Sequence, residues 1–96
     1  MKQTAKQEHI RQLFELITSL DNVDDCQALF DDLCTIKELN DMSQRLDAAV
    51  LLAEGLSYQK IMEQVAISTA TIGRVSRCLN YGTGGYRSAI EKLKED

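Results

Sequence analysis

Apolar residues recur three and four positions apart along most of the chain. Ile10, Leu13, Phe14, Ile17 and Leu20 form the first such row, the spacing of one face of an α-helix. The stretch "SLDNVDD" interrupts it. Asp21 or Asn22 suits the N-cap of a second helix, and Asp24 and Asp25 favour its positive end. Cys26, Leu29, Phe30 and Leu33 would share one face of that helix. The sequence "TIKE" is a capping box, in which Thr35 and Glu38 can each satisfy the other's backbone amide. It predicts a long third helix over about 36–54, with an apolar row of Leu39, Met42, Leu46, Ala49, Val50 and Ala53. Gly55 is placed to end it in a left-handed conformation, with Leu56 folding back on the last turn.

Residues 57–80 read as two short helices. Ser57 caps the first, which carries Ile61 and Val65, and Ser68 caps the second, whose stripe is Ile72, Val75 and Leu79. About three residues would join them, and so short a junction forces the sharp crossing of a helix-turn-helix. The segment "NYGTGGYR" reads as a turn, since no strand precedes it and its glycine spacing is not that of a phosphate loop. A last helix over 86–95 carries Tyr86, Ala89, Ile90 and Leu93. No segment shows strand alternation. The expectation is an all-α fold of about six helices in a single domain, 1–96: a helical dimerisation part (1–54), a helix-turn-helix (57–80) and a C-terminal helix (86–95).

Composition adds to this picture in two ways. The chain has 96 residues, 44% hydrophobic and 27% charged, with no proline, so it is globular and suited to uninterrupted helices. A chain this short buries a limited core, and a second subunit can supply what is missing. Charge is unevenly spread. Residues 1–56 hold eleven acids and five bases, whereas 57–90 hold Lys60, Arg74, Arg77 and Arg87 against Glu63 alone. The overall net charge of −4 therefore hides a basic segment in an acidic chain, the pattern of a localised anion-binding face.

Other chemistries find little support. Cys26, Cys34 and Cys78 lack a C-x-x-C spacing and His9 is the only histidine, so neither a disulfide framework nor a metal site is expected. Cys26 and Cys34 read as small core residues, and His9 as a solvated side chain in a polar segment. No catalytic carboxylate pair or nucleophile with a nearby base stands out, so no enzyme and no cofactor are expected. The polar start "MKQTAKQEHI" lacks a signal-peptide core, and no segment has the apolar length of a membrane span. The expected location is the cytoplasm.

With Ile72, Val75 and Leu79 turned inward, the opposite face of the second short helix holds Ala70, Gly73, Arg74 and Arg77. Ser68, Thr69 and Thr71 stand at its N-terminus, and that outer face carries no acid. Small residues let a backbone approach a groove, hydroxyls and a helix N-terminus meet phosphate, and arginine forks reach phosphate or guanine. Tyr58, Gln59 and Lys60 of the preceding helix would lie along the DNA backbone. The expected function is a sequence-specific, double-stranded-DNA-binding transcription regulator. The alternative is a helical protein-interaction module that does not bind DNA.

The stretches "LFDDLCTIKELNDMSQRLDAAVLLAEGLSYQKI", "ISTATIGRVSRCLNYGTGGYR" and "AIEKLKED", in that order, resemble the Trp repressor family. The likeness is to its Trp-repressor-like branch of small bacterial proteins, the YerC/YecD type, and covers roughly residue 24 to the C-terminus. It implies a dimeric repressor whose N-terminal helices interlock between two copies. It also implies an effector pocket, since the founding member binds L-tryptophan between the long central helix and the recognition helix. The matching positions here are Thr35, Arg45, Thr71 and Arg74. Two departures bear on that pocket. Val75 stands where the founding member has a glycine, and Cys78 where it has a serine. Val75 should intrude where an indole ring would lie, so the chain is not expected to respond to tryptophan.

Overall fold

The computed structural model describes residues 5–95. They form six helices: α1 (Ala5–Ser19), α2 (Val23–Leu33), α3 (Ile36–Ala53), α4 (Tyr58–Gln64), α5 (Thr69–Tyr81) and α6 (Gly85–Lys94). No strand occurs among the described residues, so the expected all-α class holds. Met1–Thr4, part of the polar N-terminal stretch, and Asp96 lie outside the described residues.

Local chemistry sets most helix ends. The Asn22 side chain caps α2 by accepting from the Asp25 amide at 2.8 Å. The Thr35 amide donates to Glu38 Oε1 at 2.8 Å, and the Glu38 amide donates to Thr35 Oγ1 at 3.0 Å. This reciprocal pair is the predicted capping box at the start of α3. At the other end of α3, Gly55 takes a φ of 93°. Its amide donates to the Leu52 carbonyl at 3.0 Å, and the Leu56 amide donates to the Leu51 carbonyl at 3.1 Å. Those two bonds make a Schellman motif, which satisfies carbonyls that would otherwise lack partners. It also turns Leu56 back against the core.

The chain divides into two compact units, 1–39 and 40–96. The second has a core of its own. Ala48, Ala49, Ile61, Ile72, Val75, Leu79 and Ile90 are buried, and Val50, Leu51, Leu52, Leu56, Val65, Ile67 and Tyr86 pack around them. α5 lies against both α4 and α6. Ala48 and Ala49 of α3, each fully buried, are small enough for larger side chains of the same cluster, such as Ile61 and Ile72, to pack closely.

The first unit is different. Neither α1 nor α2 contains a buried residue. Ile10, Leu13, Phe14, Leu16, Val23, Leu33 and Ile36 are exposed, Phe14 by 58% and Ile36 by 81%. Cys26 and Cys34 are half-buried and free rather than core residues. His9 is exposed on α1, as expected.

Four residues depart from the expected stripes. Met42 and Ala53 of α3 are exposed, while Ala48, absent from the expected row, is fully buried. The second unit takes contacts from Ala48–Ala49 and the half-buried Val50, Leu51 and Leu52, a wider arc than one i, i+3, i+4 row. Leu93 of α6 is also exposed, since the core contact of that helix centres on Ile90, one turn earlier.

Candidate nucleic-acid interface

α4 and α5 form the two arms of the expected helix-turn-helix. Ser57 caps α4 by accepting from the Lys60 amide, and Ser68 caps α5 by accepting from the Thr71 amide, both at 3.2 Å. α4 ends at Gln64, one residue earlier than the apolar pattern implies, so four residues rather than three join the helices. Val65 takes extended backbone angles as the C-cap, and its amide still reaches the Ile61 carbonyl. Val65 and Ile67 both turn onto the core, which anchors the turn by apolar contact instead of glycine.

α5 then separates its faces as the helical period requires. Ile72, Val75 and Leu79 are buried. Ala70, Arg74 and Arg77 are exposed, and Gly73 is half-buried. A Cβ added at Gly73 would meet nothing within 4 Å. Nothing inside the chain therefore requires glycine there, although it costs about 1 kcal/mol against alanine in a helix interior. The space beside it is open.

The N-terminal turn of α5 is polar and ordered. Thr71 Oγ1 accepts from the Ser68 hydroxyl at 3.0 Å and from Arg74 Nη2 at 3.4 Å. Ser68, Thr69, Thr71 and Arg74 thus lie together at the end of the helix where backbone amides favour an anion. The exposed Arg77 side chain, one turn on from Gly73, has no hydrogen-bond or ion-pair partner among the described residues. On α4, Tyr58 and Gln59 are exposed. Lys60 sits 3.8 Å from Glu63, an exposed pair that contributes little and leaves the ammonium free to exchange partners.

The four residues matched to an effector pocket are not all in one unit. Arg45, Thr71 and Arg74 belong to the second unit and Thr35 to the first. Arg45 and Thr71 are half-buried and Arg74 is exposed. Val75 is 2% exposed, packed in the same cluster as Ile61 and Ile72, so its side chain occupies interior space. Cys78 is exposed.

A family model described as Trp repressor protein matches residues 8–94. The chain belongs to the Trp repressor family. It is 50% identical over 84 residues to the uncharacterized protein YerC of Bacillus subtilis (strain 168), covering 88% of this chain and 81% of the relative. A TrpR-like protein from Eubacterium eligens ATCC 27750 is 44% identical with a TM-score of 0.87, over 91% of this chain and 90% of the other. A provisionally assigned Trp repressor from Staphylococcus aureus has the same TM-score of 0.87 at 33% identity, over 99% of this chain and 98% of the other. The Trp repressor family fold and the YerC-type branch seen in the sequence are thereby shown.

In the sequence Arg87 is legible only as one more charge of the basic segment. Arg87 of α6 reaches the Leu79 carbonyl and the Asn80 side chain at the end of α5. That contact spans a turn between two helices, and no helical-period pattern reports it.

Proposed function

We propose that the chain is a dimeric, sequence-specific DNA-binding regulator of transcription that uses α5 as its recognition helix, most simply as a repressor. The carrying observation is the outer face of α5. It combines an unpartnered Arg77, an exposed Arg74, a glycine with open space beside it and no acidic residue, opposite a buried stripe. Membership of the Trp repressor family supports the same reading. Tyr58, Gln59 and Lys60 flank the groove along the backbone, Ser68, Thr69 and Thr71 meet phosphate at the helix N-terminus, Ala70 and Gly73 permit close approach, and Arg74 and Arg77 reach phosphate or base edges.

The first unit supports pairing with a second copy. Its α1 and α2 are amphipathic yet hold no fully buried residue, and covering those faces with their equivalents would give a closed, symmetric assembly. Such pairing would unite the helices of 1–54 as the dimerisation part of one functional domain. Two α5 helices would then occupy a short pseudo-palindrome and exclude polymerase, in the cytoplasm. No enzymatic step is involved.

Tryptophan is not the signal in this reading. Val75 fills the interior on the side of α5 where an indole would have to lie, and a branched side chain there leaves Arg45, Thr71 and Arg74 without a flat cleft to flank. Titration with L-tryptophan in a calorimeter is expected to give no saturable heat at micromolar concentration.

The DNA reading is tested by replacing Arg77. Arg77→Ala should weaken specific binding and, if the side chain meets phosphate, reduce the slope of log affinity against log salt by about one. Unchanged affinity together with an unchanged slope would remove this face from the interface.

A further inference from the structure

α5 carries no basic residue in its own last turn. The negative end of that helix is instead met from α6. Arg87 Nε donates to the Leu79 carbonyl at 3.3 Å, and Arg87 Nη2 donates to Asn80 Oδ1 at 3.1 Å. The same Asn80 side chain uses its amide nitrogen in the other direction, donating to the Ser76 carbonyl at 3.0 Å and to Ser76 Oγ at 3.3 Å. One guanidinium and one carboxamide therefore bracket residues 76–80, the turn that carries Arg77.

The turn between the helices makes the reach achievable. The Gly82 amide closes α5 on the Cys78 carbonyl at 2.9 Å. A Cβ at Gly82 would overlap that same carbonyl oxygen. Gly84 then takes a φ of 91° as the N-cap of α6. α6 starts immediately afterwards, which sets Arg87 in its first turn against the end of α5. A guanidinium suits this place because its planar fork can serve a carbonyl and a carboxamide at once, and its charge opposes the carbonyl end of the helix dipole.

We propose that Arg87 is a positioning residue for DNA reading: it clamps the C-terminal turn of α5, through Leu79 and Asn80, and so fixes the backbone from which Arg77 projects. This rests on α5 being the DNA reader. A basic residue in this segment would otherwise be taken for a phosphate contact, and the two roles separate cleanly. A phosphate contact depends on charge, whereas the clamp depends on the fork and on Asn80.

The experiment measures affinity for a selected duplex and for random duplex, at several salt concentrations, in Arg87→Ala, Arg87→Lys, Asn80→Ala and the Arg87→Ala/Asn80→Ala double variant. Amide hydrogen exchange of residues 79–82 is followed in the same proteins. The clamp predicts that Arg87→Ala lowers specific affinity about tenfold, the effect of losing one charged hydrogen bond that holds the reading geometry. Affinity for random duplex and the salt slope stay as in the parent chain. Arg87→Lys fails to rescue, Asn80→Ala reproduces much of the loss, and the double variant loses little more than either alone. Exchange at residues 79–82 quickens in all four.

A salt slope reduced by about one in Arg87→Ala, with affinity restored by Arg87→Lys, would make Arg87 a phosphate contact and overturn the proposal. Faster exchange with unchanged specific affinity would leave Arg87 a purely structural residue, and would overturn it too. If the parent chain prefers no duplex, the DNA reading itself fails. The exchange data then still decide whether the clamp exists.

Discussion

Residues 1–39 and 40–96 are written in the same helical period, yet they end in different physical states. In the second unit the apolar stripes of α4, α5 and α6 meet one another and a pair of alanines on α3, and seven side chains leave solvent. In the first, α1 and α2 carry stripes just as regular, yet none of their residues is more than half-buried. Amphipathicity shows that a helix face must be covered, without saying by what. The second unit covers its faces internally and can present a fixed outer surface. The first unit's faces wait for a partner, and the proposed dimer gives them one. Under the proposed function the labour divides accordingly: one region would hold the reading helix still, and the other would bring two such helices together.

The comparison can be broken most forcefully at matched apolar positions. Ile61→Ala removes a fully buried side chain and should cost about 2–5 kcal/mol in denaturant unfolding. Phe14→Ala is the informative counterpart. Exposed as it is within one chain, it should cost no more than about 0.5 kcal/mol. Covered by a second copy, it should cost about 3 kcal/mol or more. The dimer requires the larger value, with a shift toward monomer in sedimentation. A small cost with unchanged mass would mean that the first unit's stripes are never covered this way.

Smaller effects sharpen the contrast. Thr35→Ala breaks the capping box of α3 and should lower stability by about 1 kcal/mol, read as a shift in the unfolding midpoint. Gly73→Ala should act with opposite signs on two measurements. Its methyl meets nothing within 4 Å, so helix stability should rise by up to about 1 kcal/mol. DNA affinity should fall, because the methyl now stands between α5 and the groove. A stabilised variant with undiminished binding would place Gly73 outside the contact surface.

Much of the fold was legible because it is local. The Thr35–Glu38 box, the serine caps at 57 and 68, and the left-handed Gly55 are each decided within about one helical turn, where sequence spacing and spatial distance agree. The face of α5 was legible for the same reason, since a single buried stripe fixes the opposite side. What was not legible is tertiary. Ala48 was overlooked, and Met42, Ala53 and Leu93 were overassigned to the interior, because the width of a buried face depends on the neighbours that pack there. The end of α4 came one residue early because Val65 is needed on the core as part of the turn. Arg87 looked like one more charge, because its role depends on a glycine turn that folds α6 back onto α5.

The central claim is that two copies of this chain present two α5 helices to one duplex. The most direct measurement is selection of bound sequences from a random duplex pool, with and without added L-tryptophan. The account predicts an inverted repeat whose half-site centres lie about one helical turn, roughly 10 base pairs, apart, enriched equally in both conditions. Failure to enrich any sequence, or enrichment of a single unrepeated site, would contradict it.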